Sequence, residues 1–126
     1  MTNTCEDRID DAMESRLDDL RTLAKDADWD GFAEYFLSVD YVAPYTFNDQ
    51  PEGYIRMQIS WGGPSDEFRL FVKPDHSIQR IEYVFLDWYD GAVRTVTAIE
   101  DRDAVEMAWA YFEEAVTPEL PEYPTL

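Results

Sequence analysis

The chain has 126 residues, with 28 Asp and Glu against 10 Lys and Arg, and a formal net charge of −18. That balance argues against direct binding to nucleic acid or to an anionic membrane, both of which repel it, while 45% hydrophobic and 15% aromatic residues exclude a disordered acidic chain. The length predicts one domain, the lone Cys5 excludes a disulfide framework or cysteine metal cluster, and the lack of a leader-like start or a membrane-length apolar run predicts a cytoplasmic protein.

Thr4, with Asp7 three residues on, reads as a capping box. Ile9, Met13, Leu17, Leu20 and Ala24 then recur at helical spacing, predicting a helix from about Cys5 to Lys25. Asp26 or Asp28 is expected to cap a second helix to about Ser38, burying Trp29, Phe32, Phe36 and Leu37. Residues 41–53, holding Pro44 and Pro51, read as a loop. From Tyr54 the period becomes two: Ile55, Met57, Ile59 and Trp61 alternate with Tyr54, Arg56, Gln58 and Ser60. Short turns at GGPSD, PDHS and YDG then separate strands at about 67–73, 78–88 and 92–98, predicting a four-stranded antiparallel meander. A third helix, about 101–116, carries Val105, Ala108, Trp109, Phe112 and Val116 on one face, and Pro118 stops it. The fold class expected is α+β in the order α-α-β-β-β-β-α, with the helices on one face of the sheet, as a single domain over 1–117. Residues 118–126 read as an extended acidic tail.

Gly62-Gly63-Pro64 and Asp90-Gly91 stand at strand ends, where glycine supplies positive φ and proline fixes a turn. Trp61 and Trp88 flank these turns and are expected to cover the open end of the core, with surface recognition as the alternative role.

The negative charge is unevenly placed. Residues 1–52 hold 14 acidic and 4 basic residues, net −10; residues 53–99 hold 6 and 5, net −1; residues 100–126 hold 8 and 1, net −7. On the first helix Asp7, Asp10, Asp11, Glu14 and Asp18 form a stripe opposite the apolar one. Asp7/Asp11, Asp10/Glu14 and Glu14/Asp18 are like-charge pairs one turn apart, each costing about 0.2–0.5 kcal/mol. Asp103, Glu106, Glu113 and Glu114 repeat the pattern on the third helix. Duplex DNA carries one charge per roughly 1.7 Å of axis, so this net charge matches about 30 Å of duplex on a globule about 35 Å across. The two stripes are therefore the candidate partner-binding residues, fitting the basic DNA-binding surface of a protein complex. General adaptation to salt would instead spread acid over the strands, whose outer positions include Arg56, Gln58, Arg69, Lys73 and Arg80.

Motifs for chemistry are sparse. Asp26, Asp28 and Asp30 with Gly31 match the start of a calcium loop, but its twelfth position falls on Leu37, which has no carboxylate. His76, the single histidine, lies in a turn without a nucleophile arrangement. Asp87 and Asp90 make a carboxylate pair of a kind that 28 acids produce by chance. No phosphate-cradling glycine loop, HExxH or CxxC occurs. No catalytic residue, metal or cofactor is expected.

ISWGGPSDEF (59–68) and IEYVFLDWYDGA (81–92) resemble a pair of motifs found in small proteins of phages and other mobile elements. The whole chain resembles the acidic anti-CRISPR and anti-restriction proteins, which share size and charge. That resemblance implies a non-enzymatic DNA mimic that occupies the DNA-binding surface of a CRISPR effector or a restriction enzyme. An immunity protein against a basic nuclease toxin would use the same electrostatics. DADWDGFAEYFLSVDYV also resembles the helical opening of the SnoaL/NTF2-like cone fold, which implies a small pocket enzyme or binding domain.

Overall fold

A computed structural model describes residues 4–121. Helix α1 spans Cys5–Lys25. Its first turn is closed by a reciprocal cap, in which the Thr4 hydroxyl accepts from the Asp7 backbone N–H while the Asp7 carboxylate accepts from that of Thr4. Helix α2, Trp29–Tyr35, is short; Asp28 caps it by accepting from the Gly31 N–H at 2.9 Å. Five strands follow: β1 Ser38–Val42, β2 Tyr54–Ser60, β3 Ser65–Val72, β4 Ile78–Asp87 and β5 Asp90–Thr95. Helix α3 spans Ile99–Val116, and a 3-10 turn occupies Thr117–Glu119. The sheet is an antiparallel meander in the order β1-β2-β3-β4-β5.

The sheet therefore has five strands where four are expected, and the order is α-α-β-β-β-β-β-α. The extra strand comes from residues assigned to the end of helix two and the following loop. Phe36 already has extended dihedrals, and β1 then pairs with β2 from Ser38 opposite Gln58 to Val42 opposite Tyr54. A strand here satisfies backbone groups that would otherwise leave β2 an open edge.

Alternation sorts the strand residues onto two faces. Ile55 and Met57 of β2, Phe68 and Leu70 of β3, and Ile81, Tyr83 and Phe85 of β4 face the helices and share one core with Ile9, Leu17 and Leu20 of α1, Phe32 of α2, and Val105, Ala108 and Trp109 of α3. Burying each such large side chain contributes about 1.5–3 kcal/mol, so the stripes on α1 and α3 fix which helix face is left to water. On the opposite face of the sheet a second small cluster joins Val42, Tyr54 and Phe71.

Several expected burials are overturned. Trp29 is 43% exposed and Leu37 63%; α2 ends at Tyr35, which leaves Leu37 outside the helix on the way into β1. Trp61 and Trp88 do not close the core: they are 79% and 89% exposed, on turns that project beyond the strands. The left-handed residue of the second turn is Trp88 itself, with φ of 57°, and not Gly91; in the first turn Gly62 takes φ of 115° as expected. Leu120, in the stretch read as an extended tail, is buried against the core, and the 3-10 turn Thr117–Glu119, with Pro118 in its first positions, carries it there. Residues 122–126 lie outside the described residues.

Candidate functional site

The acidic stripe of α1 turns away from the core, with Asp7, Asp10, Asp11, Glu14 and Asp18 all exposed. It is less bare than its sequence implies. Arg94, reaching across from β5, binds Asp10 and Glu6, each at 2.9 Å. Arg21 pairs with Glu14 and lies 3.6 Å from Asp18. The self-repulsion expected along the helix is thus relieved at two points. Arg21 also pairs with Asp101, which draws the first turn of α3 onto the acidic side of α1.

That contact brings part of the second stripe beside the first. Asp103 lines a surface cleft together with Arg21, Lys25 and Glu100. Glu113 and Glu114 lie about 15 Å further along α3, ten residues at 1.5 Å each, so they extend the surface without joining the Arg21 cluster. Asp11, Asp103, Glu113 and Glu114 are exposed and Glu106 is half-buried, and among the described residues none of the five pairs with a basic side chain.

The open face of the sheet is built differently. Arg56 forks onto Asp40 at 3.1 and 2.8 Å, Arg69 binds Glu67 at 2.7 Å, and Arg80 binds Glu52 and Glu82, each at 3.1 Å. Two of these guanidinium groups lie on aromatic rings, Arg69 over Tyr54 at 4.6 Å and Arg80 over Phe71 at 3.8 Å. Arg56–Asp40 and the two ring contacts tie neighbouring strands together, and the ion pairs leave this face close to neutral.

One polar cluster escapes the sequence reading. Asp66, 4% exposed, accepts from Arg16 Nε at 2.7 Å and Nη2 at 3.2 Å, from the Tyr83 hydroxyl at 2.6 Å and from the Ser60 hydroxyl. Burial, and then the bond to Asp66, push the Tyr83 phenol far above its ordinary value. Tyr35 alongside donates to Asp19 at 2.6 Å, and burial followed by that bond pushes it up to about 12. Both tyrosines are therefore protonated donors at neutral pH. With four donors converging on it, Asp66 has no lone pair directed at a substrate, and the cluster holds α1 to the sheet. The signal was the period of two, which places Asp66 in phase with Phe68 and Leu70 and hence toward the helices.

The remaining acidic and histidine motifs serve the backbone. Asp87 pairs with Arg8, and Asp90 accepts from the Cys5 and Gly91 N–H groups at 2.7 and 2.9 Å, so the two close the β4–β5 hairpin against α1. His76 has φ of 68° and its Nε2 lies 3.0 Å from the Pro121 carbonyl. Among the described residues no group of three His, Cys, Asp or Glu side chains is placed to hold a metal ion, and no helix is long and apolar enough to cross a membrane.

No protein-family model matches the chain, and no curated protein or solved structure matches it.

Proposed function

We propose that the protein is a non-enzymatic acidic DNA mimic, which inhibits a host defence complex by occupying the basic surface where that complex binds DNA. The first target class is a CRISPR effector, and a restriction enzyme is the second. The observation that carries this reading is the contrast between its two sides. On the open sheet face Arg56, Arg69 and Arg80 each have a carboxylate partner, whereas the helical layer leaves Asp11, Asp103, Glu106, Glu113 and Glu114 without a basic one among the described residues. Along the α1 stripe, carboxylates a helical turn apart stand about 5–6 Å from one another, a spacing near that of successive phosphates. A groove lined with Lys and Arg meets on this side a negative surface that needs no rearrangement to present its charge.

The test is competition. A purified CRISPR effector, with a restriction endonuclease run in parallel, is loaded with labelled target duplex, and the chain is titrated in. Asp11→Asn/Asp103→Asn/Glu113→Gln removes three charges that support no internal ion pair, so the fold should survive and displacement should weaken by about tenfold or more. Gln58→Lys/Gln79→Lys/Thr95→Lys changes the net charge by the same amount on the sheet and should displace nearly as well as the parent. Equal displacement by the parent and the helical variant would remove the helical face from consideration.

A further inference from the structure

In a meander every second turn returns to the same end of the sheet, so the β2–β3 turn at 61–64 and the β4–β5 turn at 88–89 stand side by side. Between them they hold Trp61, Trp88 and Tyr89 almost wholly in water, with the exposed Leu86 just below on β4. Neither packing nor backbone preference accounts for tryptophan at position 88. The residue is held at φ of 57°, a conformation glycine adopts freely and other residues at a cost of order 1 kcal/mol or more. Its ring recovers none of that cost inside the fold.

The neighbourhood restricts what could cover these rings. The first turn of α1 is tied to the same hairpin by the Cys5 N–H on Asp90 at 2.7 Å and by Arg8 on Asp87. Exposed Glu6, which also holds Arg94, and Asp7, which also caps the Thr4 N–H, therefore stand at the aromatic end, and the acidic stripe of α1 continues from it. A second copy of a chain carrying −18 is repelled, as are an anionic membrane and nucleic acid. What fits is a cation: ring faces are electron-rich, and a guanidinium stacks on them and takes a carboxylate at its edge.

We infer that Trp61, Trp88 and Tyr89 form an aromatic anchor for arginine side chains of a basic protein partner, at one end of the acidic surface of α1. The inference rests on the proposed reading for the identity of that partner, and its test separates the two. Exposed aromatics at a partner-facing end concentrate binding energy as charged rims do not, so the carboxylates would set the rate and direction of approach and the rings would hold the partner in place.

An oligo-arginine peptide and an oligo-lysine peptide of equal length serve as probes, with the four tryptophan indole N–H signals as readout. The arginine peptide should shift the Trp61 and Trp88 signals while leaving that of buried Trp109 in place, and the lysine peptide should shift them less. Trp61→Ala/Trp88→Ala should bind the arginine peptide about tenfold more weakly and lose the preference over lysine. Trp88→Gly should be at least as stable as the parent, because it relieves the left-handed backbone, yet bind more weakly. Unmoved indole signals, or a double variant binding within about twofold of the parent, would overturn the anchor. If Asp11→Asn/Asp103→Asn/Glu113→Gln loses peptide binding and the tryptophan variant does not, the anchor is wrong and the acidic-face reading survives. The reverse result leaves the anchor standing and removes the acidic face.

Discussion

Asp66 and Trp61 sit five residues apart on either side of one turn, and the fold treats them in opposite ways. Asp66 is a charge taken out of water and repaid by four donors, whereas Trp61 is a large apolar surface left in water. Removing the first should therefore cost far more than removing the second. Asp66→Ala strands the Tyr83 hydroxyl in the core and frees Arg16 from its only carboxylate partner among the described residues, with an expected loss of about 3 kcal/mol. Tyr83→Phe takes away one donor and leaves the others in place, so it should cost roughly 1 kcal/mol. Trp61→Ala should stay within about 0.5 kcal/mol of the parent. Urea unfolding midpoints at constant slope give all three values, and a Trp61→Ala loss as large as that of Asp66→Ala would mean the tryptophan is packed in solution.

At the scale of elements, the junction between α1 and α2 is where helix capping and metal binding make different demands on the same aspartates. Asp28 spends an oxygen on the Gly31 N–H, and Leu37, at the position where a calcium loop needs its bidentate Glu, is exposed on the way into β1. Asp28→Ala should therefore cost about 1 kcal/mol of stability as a lost cap, and millimolar calcium should leave the melting temperature of the parent unchanged relative to magnesium at equal ionic strength. A calcium-specific rise of several degrees would contradict this. The same junction marks the limit of what periodicity could resolve. Helices α1 and α3 and strand β2 were legible because each runs long enough for one period to dominate, and β3 to β5 because turn residues mark their ends. The run Phe36, Leu37, Val39, Tyr41, Val42 satisfies a short helix and a short strand about equally, and pairing with β2 decides it. The acidic stripes were legible too, since α1 and α3 have the expected faces. The pairing of Asp10 was not, because Arg94 comes from a strand 84 residues away and no local pattern announces such a partner, whereas Arg21 with Asp18 is an ordinary i,i+3 pair within α1.

For the whole molecule, the decisive property is the uneven placement of charge along the chain: net −1 over residues 53–99, which hold β2 to β5, against −10 over residues 1–52, which hold α1, α2 and β1, and −7 over residues 100–126, which hold most of α3. Within one molecule these carboxylates repel each other, and among the described residues Arg21 and Arg94 alone bridge the α1 stripe. Salt screens that repulsion over a distance of about 10 Å at 0.1 M, so raising the salt from about 50 to 500 mM should increase the stability of the isolated protein. The paired arginines of the sheet oppose this trend weakly, because exposed ion pairs are each worth only about 0–1 kcal/mol. Attraction between an acidic face and a basic groove is screened over the same distance and has no compensating gain, so the complex proposed above, with a DNA-binding target, should weaken across the same range, mostly through slower association. Thermal melts of the free protein and affinities for the target, measured in one salt series, should therefore run in opposite directions. An affinity that holds constant while stability rises would place the binding energy in the exposed aromatic end and not in the carboxylates of α1 and α3.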